Sequence, residues 1–269
     1  MLTSKWYLAP NTVLVISDNL RYNQTNFQIE TRMPNIKRQA IIVFSLLVVV
    51  SAIFFLYPSL DLKTAHLFFS QHQFEAGRDI GANFIRAPIF RLSTHVVSAL
   101  TIIVSAGALL VAIIAFKKRN KTVLISAVFI MLCFGLGPGL LVNGILKAFW
   151  GRPRPFYVDG FGYHLMYVRV WEISNECMRN CSFVAGDSSA ALTFIAFAFL
   201  PWARRWKILV AVLASLFFIY NGILRVIHGA HFLSDVMIGG LLVYLVILGC
   251  YQFSFGFLAR KITFNPRSA

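Results

Sequence analysis

The sequence predicts an all-α, polytopic membrane protein, a bundle of six transmembrane helices with a polar site gathered at its outer face. Three observations predict it. Apolar residues make up 58% of the 269-residue chain and charged residues only 13%, where a soluble domain carries roughly 25%. Mean hydropathy is +0.71. The apolar residues also gather into runs long enough to cross a bilayer as helix, which takes roughly 17–25 residues. These runs lack the strict alternation of barrel strands, so the spanning elements are helices.

Taken in order, residues 1–36 are polar, hold no cleavable signal pattern and read as a cytoplasmic tail. Met33 opens "MPNIKRQAII", in the manner of an uncleaved signal-anchor, so residues 1–32 read as a dispensable tail or as an overlong start. The first run covers residues 39–57. The loop after it, 58–95, contains "LKTAHLFFSQHQF". Its Phe68, Phe69 and Phe74 predict a short amphipathic helix at the interface. The second run is 96–116. The third, 123–146, leads through "GLGPGLLVNGILKAF", where Gly135, Gly137, Pro138 and Gly139 predict a bend or a close neighbour. A long loop, 150–187, is rich in turn residues and aromatics; Trp150, Phe156 and Tyr157 read as an interfacial belt. The fourth and fifth runs, 188–203 and 208–224, are short, and the basic clusters around them favour spanning over a buried core. The sixth is 236–253. The membrane domain is therefore expected over 37–256, with 257–269 as a cytoplasmic tail.

The formal charge of +15 suggests nucleic acid until its distribution is read. Lys37–Arg38, the cluster Lys117, Lys118, Arg119 and Lys121, the cluster Arg204, Arg205 and Lys207, and Arg260–Lys261 fall on every second side of the six runs. That is the positive-inside pattern, with both termini in the cytoplasm. Lys147, Arg152, Arg154 and Arg225 then lie outside, against the bias, and an anionic ligand explains them. Arg152 taken alone reads as a snorkelling anchor. Cys133 and Cys250 fall within spans and read as small apolar residues. Cys177 and Cys181, in "NECMRNCSF", lie in the outer loop, where an oxidising compartment permits a disulfide between them. The loop offers only His164 as a further metal ligand, so no metal site is expected there.

Three polar clusters share that outer side. "KAFWGRPRP" carries Lys147, Arg152 and Arg154. "CSFVAGDSSA" places Gly186, Asp187, Ser188 and Ser189 at the start of the fourth run. "RVIHGAHFLSD" carries Arg225, His228, His231 and Asp235 between the fifth and sixth. Lys147, Arg154 and Arg225 are fixed cations, and guanidinium forks match phosphate oxygens. Gly186 and Ser188, at a helix start, offer bare backbone N–H groups and a positive dipole end. His231 and Asp235 are four residues apart and share one helix face. An aspartate that accepts one ring N–H leaves the other nitrogen free as a nucleophile or base. Asp187 reads either as an N-cap or as a catalytic acid, and the two are compatible. His228 fits no spacing and reads as structural.

These clusters resemble the signature of the type 2 phosphatidic acid phosphatase superfamily of membrane lipid phosphatases. Lys147, Arg154 and Pro155 match its first motif; Arg225, His231 and Asp235 match its third, with Leu224 where a serine is usual. The second motif, commonly Ser-Phe-Pro-Ser-Gly-His, reads "SFVAGD" here, with Val184 at proline, Ala185 at serine and Asp187 at histidine. The resemblance implies a metal-free double displacement with no cofactor. His231 takes the phosphoryl group, Asp235 holds the ring, and Lys147, Arg154 and Arg225 neutralise the phosphate oxygens. It implies a proton donor at Asp187, which acts as an acid only if burial raises its pKa. Lipid A phosphatase-like members resemble this chain in an acidic residue following a paired-cysteine loop. The implied setting is a cell inner membrane with the site on its periplasmic face. Lipid A, undecaprenyl diphosphate, phosphatidylglycerophosphate and phosphatidic acid are the implied substrate classes, with hydrolysis or transfer to another lipid as the reaction. A weak lipid-phosphate carrier is the competing class, supported by the altered second motif and opposed by the intact His231–Asp235 pair.

Overall fold

Helices form where the apolar runs lie and break at the glycine-, proline- and lysine-rich junctions between them. The computed structural model describes residues 35–69, 84 and 88–262, nearly all of them in the unit that begins at Lys37. The first span is α1 (Ile36–Leu56), and a turn at Pro58 leads into the short α2 (Ser59–His66). The second is α3 (Pro88–Lys117), ending in the basic cluster where an aqueous boundary is expected. The third opens as α4 (Lys121–Phe134), whose N-cap Asn120 accepts the N–H of Val123 at 3.1 Å. It continues through a π-helical stretch, Gly135–Leu146, to Phe149. Pro138 lies inside this stretch, where its missing N–H and ring are incompatible with α-helical bonding. The Asn143 amide donates to the Pro138 carbonyl at 2.7 Å. The bend expected from the glycines is thus a local rewinding of the helix.

The fourth run is shorter than expected. It is α5 (Gly186–Thr193), continued by 3-10 turns over Phe194–Phe199 and, after Leu200, over Pro201–Arg205. Then come α6 (Lys207–Ile227) and α7 (Leu233–Tyr251), the latter running on through a π-helical Gln252–Leu258 to Lys261, past the boundary expected at 256. Among the described residues five helices are long and apolar enough to cross a membrane, where the sequence suggested six. There are no strands among them, only isolated bridges pairing Phe69 with Phe84 and Val158 with Leu165.

The third and last spans are the most enclosed, while α1 and α3 turn most of their surface outward. Apolar residues on those outer faces, such as Ile41, Phe44, Ile102 and Ile103, are exposed as lipid-facing side chains would be. Packing at the centre is close: a Cβ on Gly222 of α6 would lie 2.5 Å from Val236 of α7. The expected interfacial helix exists as α2. Instead of lying free, it buries Asp61 and Ala65, and Ala65 packs in a cluster with Phe84, Val158, Phe161 and Phe232. Phe74 lies outside the described residues. Trp150, read as a belt residue, packs inside the loop edge-on against Trp171 and tilted against Phe183, with ring centroids 5.7 and 5.4 Å away.

Candidate active site

The end of the third span, the start of α5, the end of α6 and the start of α7 converge, bringing the three polar clusters together. Lys147 hangs over the start of α5. A Cβ on Gly186 would lie 3.1 Å from Lys147 Nζ and 3.2 Å from Asn143 Oδ1, so glycine is what lets the ammonium approach the helix. The N–H groups of Gly186, Asp187 and Ser188 belong to the first turn, where no intrahelical carbonyl reaches them. The Ser188 hydroxyl donates to the Ala185 carbonyl at 3.3 Å and is fully buried, leaving its main-chain N–H as its contribution to an anion. The N-cap of α5 is Ala185, with no side-chain cap, so Asp187 does not play that part.

Asp187 faces Arg225 instead. Its Oδ2 lies 3.2 Å from Arg225 Nε and accepts from the Thr94 hydroxyl at 3.4 Å. The Nη2 of Arg225 donates to the Phe90 carbonyl at 2.9 Å, to Ser93 Oγ at 3.0 Å and to Thr94 Oγ1. Arg154 donates from Nε and Nη2 to the Asn180 carbonyl at 3.2 and 2.9 Å, and Lys147 donates to the Asn180 side-chain oxygen at 3.5 Å. Burial holds the Arg154 guanidinium below its ordinary value without discharging it. Asn180 lies at positive φ (50°) inside the loop closed by Cys177 and Cys181, whose sulfurs are bonded in a disulfide with Cα atoms 5.7 Å apart. A cleft of about 440 Å³ lined by Asn143, Lys147, Ala148, Met178, Arg179 and Asn180 opens beside these cations.

His231 is 2% exposed. Its Nδ1–H donates to the Ser182 carbonyl at 2.7 Å, which fixes the tautomer and leaves the lone pair on Nε2. The direct bond to Asp235 read from the i, i+4 spacing is not made: Asp235 Oδ2 stands 3.9 Å from Nδ1, beyond hydrogen-bonding reach. That carboxylate is occupied by Arg152 Nη1 at 2.5 Å, the Ser182 hydroxyl at 2.5 Å and the Phe232 N–H at 2.9 Å, the last of which caps α7. Burial pushes the His231 imidazole down to about 4; the Asp235 carboxylate pulls upward and is outweighed, with Lys147 and Arg154 adding to the fall. The ring is therefore neutral near pH 7, as a nucleophile must be.

Arg152, read as a membrane anchor, is wholly buried at the back of the site. Besides Asp235 it donates to Asp61 Oδ2 at 2.8 Å, the Tyr167 hydroxyl at 3.1 Å, Ser234 Oγ at 2.9 Å and the Val168 carbonyl at 2.8 Å. Asp61, Ser182 and Asn180 were not singled out by the sequence either; the one available signal was an aspartate inside the otherwise apolar "SLDL". His228 stacks on Phe90 at 4.7 Å, a packing role in keeping with its unmatched spacing.

Fold and site together define a polytopic helical membrane protein with a cationic pocket built around a neutral histidine. Comparison with known proteins specifies the class. The PAP2 superfamily matches residues 132–258. A lipid A 4'-phosphatase of Francisella tularensis subsp. novicida is 38% identical over 201 residues, covering 71% of this chain and 85% of that protein. Lipid A 4'-phosphatases of Rhizobium etli and Rhizobium leguminosarum are 43% and 42% identical over 107 residues, 39% of this chain and 41% and 45% of theirs. Among solved structures, a transmembrane PAP2-type phosphatidylglycerolphosphate phosphatase from Bacillus subtilis shares the fold, with a TM-score of 0.50 at 21% identity over 83% of this chain and 97% of that one. The chain belongs to the PAP2 superfamily and is a membrane lipid phosphatase.

Proposed function

We propose that this protein removes a phosphate group from lipid A through a phosphohistidine at His231. The observation that carries the reading is the neutral His231, with its Nδ1–H tied to the Ser182 carbonyl, within electrostatic reach of Lys147 and Arg154. The three relatives that carry the lipid A 4'-phosphatase name support the substrate class. In the first step Nε2 bonds to phosphorus as the bond from phosphorus to the lipid oxygen breaks, and that oxygen takes up a proton. In the second, water attacks phosphorus, the N–P bond breaks and inorganic phosphate leaves. Lys147, Arg154, Arg225 and the N–H groups from Gly186 to Ser188 neutralise the phosphoryl oxygens as charge develops. Asp235, itself fixed by Arg152 and Ser182, lends its negative charge to the ring. Asp187 holds Arg225 in place; to serve as proton donor it would have to leave that ion pair.

The orientation completes the proposal. The eight residues of α5 reach about 12 Å, the 3-10 turns to Phe199 about as far again, and Pro201–Arg205 about 10 Å more, because a 3-10 turn rises faster than an α-turn. A run that is short in residues is thereby long enough for a core of about 30 Å. With six crossings both termini share one side, and the distribution of basic clusters supports the cytoplasm as that side, with the site at the periplasmic face of the inner membrane.

The test is phosphate release by the detergent-purified protein from a panel of lipid A, undecaprenyl diphosphate, phosphatidylglycerophosphate and phosphatidic acid, in EDTA. Turnover is expected with lipid A. His231→Ala is expected to lower it at least about 10³-fold, roughly 4 kcal/mol of barrier. Asp187→Asn, which removes the charge facing Arg225 and keeps an acceptor for the Thr94 hydroxyl, is expected to cost about tenfold, in line with the loss of one partly buried ion pair. Binding without turnover on every lipid would replace the enzyme by a carrier, and turnover with another lipid alone would replace lipid A.

A further inference from the structure

We propose that Asp61 and Arg152 form a buried positioning pair that sets the charge felt by His231, acting through Asp235 and anchoring the start of α7 to α2. The proposal rests on the functional reading above, because it assigns a part in the same reaction to residues outside the three motif clusters' expected roles.

Both side chains are fully buried, and they come from regions 91 residues apart. A lone buried ion pair is costly unless its remaining hydrogen-bonding capacity is satisfied. Here it is satisfied on every side. Asp61 accepts from Arg152 Nη2 at 2.8 Å, the Ser234 N–H at 3.0 Å, the Ser234 hydroxyl at 2.5 Å and the Tyr167 hydroxyl at 3.3 Å. All of these are accepted bonds, which suit a carboxylate. Arg152 spends its other arm on Asp235 and also lies over the Phe232 ring, 4.5 Å from its centroid. Burial alone would depress the Arg152 pKa; Asp235 and Asp61 together hold it above its ordinary value. Burial pulls Asp61 upward against the Arg152 charge.

The charge count gives the pair its function. If Arg152 met Asp235 alone, the two would cancel, and His231 would lose the negative neighbour that its positive charge requires once Nε2 has bonded phosphorus. Asp61 shares the guanidinium, so the group of Asp61, Arg152 and Asp235 keeps a net negative charge behind the ring. In front, Lys147 and Arg154 act on His231 with the opposite sign, and across the site Asp187 pairs with Arg225. Asp61 touches neither the ring nor the phosphate position, so it is a positioning residue. The Ser234 N–H bond adds a geometric part, since it fixes the first turn of α7, from which Asp235 projects.

The experiment compares the wild type, Asp61→Asn and Ser234→Ala in detergent. It measures steady-state kinetics on lipid A and the pH dependence of His231 modification by diethyl pyrocarbonate, resolved by peptide mass spectrometry. Asp61→Asn is expected to lower kcat by about 10–100-fold with KM within about twofold, because the charge matters when the ring becomes cationic. The His231 titration midpoint is expected to fall by about one pH unit with the loss of a nearby anion. A merely structural role would lower thermal stability and leave both readouts unchanged in the folded fraction; that result overturns the proposal. Should Asp61→Asn fail to fold, Ser234→Ala, which removes a hydroxyl bonded to both partners and leaves every charge in place, tests the geometric part: kcat is expected to fall about 3–10-fold with KM within about twofold, and an unchanged kcat overturns the proposal. The modification readout stands if the wild type turns over no lipid, so failure of the phosphatase reading and failure of this one are distinguishable.

Discussion

At His231 the ring proton is given to a main-chain carbonyl that no side-chain substitution at Ser182 removes. The orientation of the proposed nucleophile is therefore written into the backbone of the "CSFVAGD" segment, and on that proposal Asp235 contributes charge in place of a direct bond. A pH consequence follows from the sign of the shift. A lowered pKa means the neutral form persists in acid, down to about 4, where an ordinary histidine near 6.5 would be almost wholly protonated. The kcat/KM profile, corrected for the ionisation of the lipid phosphate, is expected to hold its plateau through pH 5 and fall near pH 4. A limb near 6.5 would mean that the ring is not desolvated as described. The spacing of Lys147 and Arg154, and of Arg225, His231 and Asp235, was legible because each set lies within a short stretch of chain at a helix end and the turn beside it. Arg152 and Asp61 were not. Hydropathy reading places a charge by its distance from the nearest span end, and Arg152 finds its partners 83 and 91 residues away.

At the scale of elements, the disulfide loop is the piece that ties together Lys147 and Arg154, the cations proposed to bind phosphate. Asn180 accepts from Arg154 through its carbonyl and from Lys147 through its side chain, and its positive-φ conformation is held between the bonded Cys177 and Cys181. Replacing both cysteines by serine is expected to raise KM for the phosphorylated lipid by about 3–10-fold with kcat nearly unchanged, an effect of ground-state binding. A matching fall in kcat with KM constant would move the loop's role from binding to chemistry. The possibility of a disulfide was legible from the sequence; its purpose was not, because a loop of three residues between the cysteines says nothing about which carbonyl it turns inward. The fourth run was misjudged in form for a related reason. "FIAFAFLPWARR" has the composition of a span, but 3-10 winding around Pro201 is decided by backbone bonding that hydropathy does not encode.

For the whole molecule, the arrangement of basic clusters is a statement about sidedness that can be checked directly. Cysteines introduced singly at Ile173, which is 72% exposed in the outer loop, and at Arg204, which follows the fourth run, report opposite faces if that run crosses. In spheroplasts a membrane-impermeant maleimide is expected to label Ile173→Cys at once and Arg204→Cys only after permeabilisation. The endogenous Cys133 and Cys250 are buried and give a low background. Labelling of both from outside would reduce the count to five crossings, and the reverse pattern would invert the protein. The helical membrane class and the gathering of polar groups at one end were legible, since each follows from the cost of exposing backbone or charge to lipid; the count was not, because five helices among the described residues are long and apolar enough to span where six were expected.

The bonded cysteine pair also acts as a clock. A chain newly inserted by the ribosome has both sulfurs reduced, and the cytosol keeps them so. On the proposed topology, residues 177–181 emerge on the far side before they meet an oxidant, and the bond that then forms fixes the Asn180 contacts to Lys147 and Arg154. A copy stranded the wrong way round would keep its sulfurs reduced and hold phosphorylated lipid several-fold more weakly than the oxidised protein.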